Sequence, residues 1–138
     1  MTKSEKIIEQ LFMIASDKEA VHRVRIAAAM VYKGKIISYG FNQDRTHRMS
    51  RRFKKNPDAN FIHAEVDAIK NALYRTDAKT VGKSTLYVAR AKKVERYNPN
   101  MVFGKAKPCR GCQDCINWFD IKKVFYTEDN GEVGEINA

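Results

Sequence analysis

Residues 25–41 read RIAAAMVYKGKIISYGF. Two apolar runs, Arg25 to Tyr32 and Ile36 to Phe41, flank Lys33-Gly34-Lys35, which is the pattern of a β-hairpin. Upstream of it, Ile7, Ile8, Leu11, Phe12, Ile14 and Ala15 recur at helical spacing between Ser4 and Asp17. They predict a packing helix with the Ser4 hydroxyl as its N-cap. Downstream, Ile62, Val66, Ile69, Ala72 and Leu73 form one apolar stripe over Phe61 to Tyr74, with Asn60 placed to cap it. Ser84 to Ala89 reads as a strand, about Arg110 to Phe119 as a short helix, and Val124 to Thr127 as a last strand. Asn42 to Asn60 is a polar, cation-rich loop, and Arg90 to Lys107 an irregular segment ending at Pro108. Beyond Glu128 the acidic, glycine-containing sequence is expected to be loose or at most a short edge strand. The order helix, hairpin, helix, strand, helix, strand predicts an α/β fold: a mixed sheet of four to five strands with helices on its faces.

The chain has 138 residues, 43% hydrophobic and 30% charged. That length and composition predict one domain, 1–138, around one apolar core. Lys3 and Lys6 are followed by Glu5 and Glu9 before any apolar run develops, so no secretory signal is read. Nothing approaches the ~20 apolar residues of a membrane span, and no membrane partner is expected. Twenty-six Lys and Arg against sixteen Asp and Glu give a net charge of +10. This balance favours anionic partners such as phosphates, nucleotides or nucleic acid, although a basic surface can also serve solubility alone. Cys109, Cys112 and Cys115 argue against a disulfide framework and for metal-ligand thiolates in a reducing compartment, by default the cytoplasm.

Two segments carry chemistry: His63-Ala64-Glu65, and much later Pro108-Cys109-Arg110-Gly111-Cys112. His-x-Glu followed by Pro-Cys-x-x-Cys is the signature of zinc-dependent deaminases of nucleobases. Each segment follows a loop and opens a predicted helix, so His63 and the two cysteines fall where backbone N–H groups lack intrahelical partners. Helix dipoles, with Lys107 and Arg110, would draw charge off two thiolates and keep a bound Zn2+ electrophilic. Three protein ligands leave the fourth tetrahedral position to water, as in a catalytic zinc. Glu65, two residues from His63, cannot share its direction on a helix and is expected beside that water as the proton carrier. Taken alone, Cys-x-x-Cys would suit a structural zinc knuckle or a redox pair, and the three cysteines an iron–sulfur cluster. That cluster would lack a fourth cysteine and leave His63 unexplained. Cys115, one turn past Cys112, reads as a buried small apolar residue.

At these residues the chain resembles the cytidine and deoxycytidylate deaminase superfamily. AAAMVYKGKIISYGFN (27–42) is similar to its first two strands, HAEVDAIKNAL (63–73) to its zinc helix, and CRGCQDCINWFDIKKVFYT (109–127) to its second zinc helix and following strand. The likeness covers roughly Arg25 to Thr127. It implies a three-layer α/β/α fold with a five-stranded mixed sheet, a homo-oligomer, and metal-activated solvent as nucleophile. It also implies substrate contacts by Asn42 at the sugar or base, by the Ala64 backbone N–H at the base carbonyl, and by Pro108. The N-terminal helix is more like the deoxycytidylate type. Two features depart from the family. The sequence stops soon after Thr127, so the family's fifth strand and last helix are expected to be missing or reduced. The loop after Asn42 carries Arg45, Arg48, Arg51, Arg52, Lys54 and Lys55 around His47 and Phe53. Its first reading is a phosphate clamp, with Arg45, His47, Arg48 and Arg51 on a cytosine nucleotide of the dCMP or CMP type. Its second is a track for tRNA or single-stranded DNA, with Phe53 or Tyr97 stacking on flanking bases and cytidine or adenosine as target. A merely solvated loop, and a binding module in which zinc only staples the fold, complete the alternatives.

Overall fold

In the computed structural model, residues 2–17, 24–42, 49, 52, 63–93 and 100–137 are described. Lys33 (φ 49°) and Gly34 (φ 80°) make a two-residue turn with both central residues left-handed, the geometry that matches strand twist. The hairpin therefore closes one residue earlier than the spacing suggests, with β1 at Val24–Tyr32 and β2 at Lys35–Phe41. β1 pairs along its other edge with β3 (Thr85–Lys93), also antiparallel. The far edge of β3 is shared. Its first half pairs in parallel with β5 (Lys123–Thr127), and its second half antiparallel with β4 (Met101–Gly104). β6 (Val133–Asn137) closes the order β2-β1-β3-β5-β6, antiparallel to β5.

Among the described residues the sheet thus has six strands where four to five are expected. β4 lies in the segment read as irregular, because four residues are too few to show a period. β6 is the short edge strand allowed for beyond Glu128. Its Gly134 is seated against the Tyr126 ring where a Cβ would collide, and its Glu135 pairs with Lys123 at 3.5 Å.

Helices cover both faces, giving three layers. Ala27, Ala29, Val31, Tyr87, Ala89 and Ala91 meet Ile7, Ile8, Leu11 and Ala15 of α1 (Lys3–Asp17). Ala28, Met30, Leu86, Val88, Val124 and Tyr126 meet α2 (Ala64–Arg75), α3 (Ala78–Gly82) and α4 (Arg110–Trp118). Burial on both faces is why β1 reads as an unbroken apolar run and not an alternation.

The caps differ from those read in the sequence. Thr2, not Ser4, caps α1. Its hydroxyl accepts from the Glu5 N–H at 3.1 Å, and Glu5 accepts from the Thr2 N–H at 3.3 Å, a capping box. The Ser4 hydroxyl instead meets that of Tyr87 at 3.2 Å. α2 starts at Ala64, three residues later than expected, with His63 as N-cap residue; Asn60 lies outside the described residues. Among the described residues, no helix is long and apolar enough to cross a membrane.

α2 is fastened to β2 with little space between. A Cβ on Gly40 would fall on the Ala68 nitrogen and the Ala64 carbonyl oxygen, so only glycine permits this approach. Ser38 donates to the Ala68 carbonyl at 2.7 Å, Asn71 to the Tyr39 carbonyl at 2.8 Å, and the Asp67 carboxylate accepts from the Phe41 N–H at 3.0 Å. Residues 38–41 thereby fix the first turns of α2.

Candidate metal centre and active site

His63 and Cys109 are both N-cap residues, of α2 and α4 respectively, and both have extended backbone (φ −84°, ψ 157°; φ −68°, ψ 170°). Neither side chain caps its own helix, so both are directed outward from the helix starts. Cys112 follows in the first turn of α4 and is buried. The His63 Nδ1 lies 3.3 Å from the Cys112 Sγ and 3.6 Å from the Cys109 Sγ. All three donor atoms fall within 4.8 Å of one another. Bond lengths near 2.1 Å to nitrogen and 2.3 Å to sulfur place tetrahedral N and S ligands about 3.6 Å apart, so this set fits zinc.

The electrostatics agree with that donor set. Hydrogen bonds from the Cys112 side chain and the His63 ring pull the Cys109 thiol down to about 4. The bond to Cys109, with burial, pushes the Cys112 thiol up. His63 is raised by its bond to Cys109 against the opposing effect of burial. Thiolate charge gathers where the N-terminal dipoles of α2 and α4 meet.

Glu65 stands two residues into α2 with 6% of its surface exposed. Burial raises its carboxyl well above the usual range, while its own backbone N–H and His63 act in the opposite sense. A carboxyl raised by burial holds its proton more tightly than a free one, an environment suited to general acid–base work.

Of the other residues read as substrate contacts, Ala64 is fully buried as the first residue of α2, in the turn whose N–H groups lack intrahelical partners. Pro108 is buried immediately before Cys109. Asn42 ends β2, where its side-chain oxygen accepts from the Ile26 N–H at 3.0 Å and so closes the β1–β2 ladder. Arg45, His47, Arg48 and Arg51 lie outside the described residues, as do Phe53, Lys54, Lys55 and Tyr97. From the same stretch of sequence, read above as a loop, Met49 and Arg52 are helical, and Arg52 stacks its guanidinium 4.1 Å from the ring centre of Trp118, which is 61% exposed. Cys115 is fully buried, its thiol pushed up to about 12 by burial, and it is not one of the three converging donors.

Sequence reasoning missed Gly40 and Asp67. An isolated glycine inside a strand is a signal for close backbone approach. A carboxylate among apolar helix residues gives no such signal, and the partners of Asp67, Phe41 and Lys70 (3.0 Å), appear only once the chain is folded.

The family profile described as the cytidine and deoxycytidylate deaminase zinc-binding region matches residues 1–128. No curated protein matches the chain significantly. Among solved structures, the chain is similar to dCMP deaminase from the cyanophage S-TIM5 in apo form. The two are 19% identical with a TM-score of 0.60 over 93% of this chain and 85% of that one. It is similar also to cytidine deaminase from Burkholderia pseudomallei, at 20% identity and a TM-score of 0.60 over 99% and 93%. The cyanophage enzyme in complex with dCMP and dUMP aligns at 19% identity and a TM-score of 0.51 over 90% and 77%. At these identities the likeness establishes a shared fold.

Proposed function

The chain belongs to the cytidine and deoxycytidylate deaminase zinc-binding family, and from that premise we propose that it hydrolytically deaminates a cytosine nucleotide of the dCMP or CMP type. The products are the uracil nucleotide and ammonia. The observation that carries this reading is the convergence of His63, Cys109 and Cys112 at two helix starts, with Glu65 buried beside them.

His63, Cys109 and Cys112 would hold zinc, which would supply the Lewis acidity that activates water. Glu65 takes a proton from the attacking water and passes it to the ring nitrogen, then delivers a second proton to the departing amine. One C–O bond forms at the carbon bearing the amino group and one C–N bond breaks; water supplies the carbonyl oxygen of the product, one proton to its ring nitrogen and one to the departing ammonia. The Ala64 backbone N–H holds the base carbonyl, Pro108 lines the base, and Asn42 faces the sugar from the end of β2. Arg45, His47, Arg48 and Arg51 clamp the phosphate through charge-assisted hydrogen bonds. The nucleotide reading is supported by the fold shared with a dCMP deaminase solved with dCMP and dUMP. The protein acts as one domain, as a homo-oligomer, in the reducing cytoplasm that its free cysteines suit.

A second reading, deamination within tRNA or single-stranded DNA, is favoured by the exposed Trp118 with Arg52 stacked on it, a surface on which a flanking base could lie. An ammonia-release screen over nucleosides, mononucleotides, triphosphates and short single strands separates the two. Turnover of dCMP or CMP is expected, and turnover confined to single strands would replace the first reading by the second.

A further inference from the structure

Cys109 is reached through residues 105–108, which form no helix or strand, so something outside α4 must hold this metal ligand in place. The structure supplies the anchor at the end of β5. β5 and β4 pair with successive halves of the same edge of β3, and Thr127 sits at the seam between them, fully buried. Its hydroxyl accepts from the Arg90 N–H at 3.1 Å and donates to the Gly104 carbonyl at 2.6 Å. One side chain thus bridges the two ladders where the strands change. The Thr127 carbonyl then accepts from the Ala106 N–H at 2.9 Å, and two residues on, the Asp129 carboxylate accepts from the Lys105 N–H at 3.0 Å.

From Ala106 to Cys109 the chain has little freedom left. Pro108 has its φ locked, and Lys107 is restricted to extended backbone because a proline follows it. A shift at Ala106 is therefore passed to the Cys109 sulfur with few torsions to absorb it.

We propose that Thr127, assisted by Asp129, is a positioning residue for the metal site, setting where the Cys109 thiolate stands relative to His63 and Cys112. This inference rests on the zinc reading of that site. Outer residues that orient metal ligands typically change affinity by about 10- to 100-fold when removed.

The test is zinc affinity measured by competition with a chromogenic chelator, alongside thermal unfolding of each variant. Thr127→Val keeps the shape and removes the hydroxyl; it should weaken zinc binding by about tenfold or more, and Thr127→Ser should restore it. Asp129→Ala, at an exposed position that does not endanger folding, should weaken binding in the same direction and decides the matter if Thr127→Val does not fold. Val81→Ala, in the core on α3 and outside the metal site, should lose thermal stability while keeping its zinc affinity. Unchanged affinity in Thr127→Val, or in Asp129→Ala where the valine variant fails to fold, would overturn the inference. So would an equal loss in Val81→Ala. Wild-type protein that binds no zinc, or a Cys109→Ala variant that binds it as tightly as wild type, would instead overturn the zinc reading itself.

Discussion

Glu65 and the two thiols of Cys109 and Cys112 make opposite demands on protons, and that contrast yields the sharpest expectations at the scale of single residues. Replacing Glu65 by Gln keeps its volume and a hydrogen-bonding group but removes the carrier of protons. Ammonia release should fall by about 10²-fold or more, the range of general acid–base catalysis. Zinc content, measured by elemental analysis, should stay at the wild-type level, and undiminished turnover would remove Glu65 from the mechanism. The thiols predict a proton count. Cys109, down to about 4, is already a thiolate at neutral pH, whereas the proton held on Cys112 must leave when zinc binds. His63 is raised, so as pH falls through its titration a second proton must be displaced. Zinc affinity should therefore climb with pH, about tenfold per unit where one proton is released and more steeply on the acid side. A pH indicator in weak buffer reads the released protons directly, and an affinity independent of pH would contradict this assignment.

Between β2 and α2 the elements touch through backbone, which makes Gly40 the test at the scale of elements. Gly40→Ala would force α2 away from β2, since a methyl there meets the Ala68 nitrogen and the Ala64 carbonyl. Overpacking of this kind costs about 1–3 kcal/mol. Because the displaced turn begins at His63, zinc affinity should fall together with the midpoint of denaturant unfolding; loss of neither would mean that the close approach is dispensable. The hairpin, α1 and the apolar stripe of α2 were readable because their side chains repeat with the period of the element that buries them. β4 was not, since four residues carry too few repeats and draw their stability from β3, and β6 was readable only as a short edge strand beyond Glu128. The helix starts were misplaced for a related reason. Thr2 caps α1 only through a reciprocal bond with Glu5, and α2 begins where β2 can receive it. The donor set of His63, Cys109 and Cys112 was legible because the chemistry dictates both residue type and spacing. Gly40 carries a local signal, an isolated glycine within a strand, but not the identity of the helix it meets, and the contacts of Asp67 with Phe41 and of Thr127 with Arg90 and Gly104 join residues distant in sequence that nothing local marks.

Over the whole molecule, a net charge of +10 sets how substrate approaches. If the basic residues after Asn42 grip one nucleotide phosphate, the logarithm of affinity should fall only gently with the logarithm of salt, equivalent to roughly one or two released ions. A slope several times steeper, measured with short single strands as ligand, would mark a polynucleotide track across Arg52 and Trp118. Either substrate depends on the way the sheet order brings α2, which follows β2, beside α4, which follows β4. Two helix starts far apart in the chain thereby present an imidazole and two sulfurs to one point. X-ray absorption at the zinc edge of the loaded protein reads that arrangement most directly. The expected shell is two sulfurs near 2.3 Å, one imidazole nitrogen and one further light atom from solvent near 2.0–2.1 Å. A shell of three or four sulfurs, or one without imidazole, would contradict it.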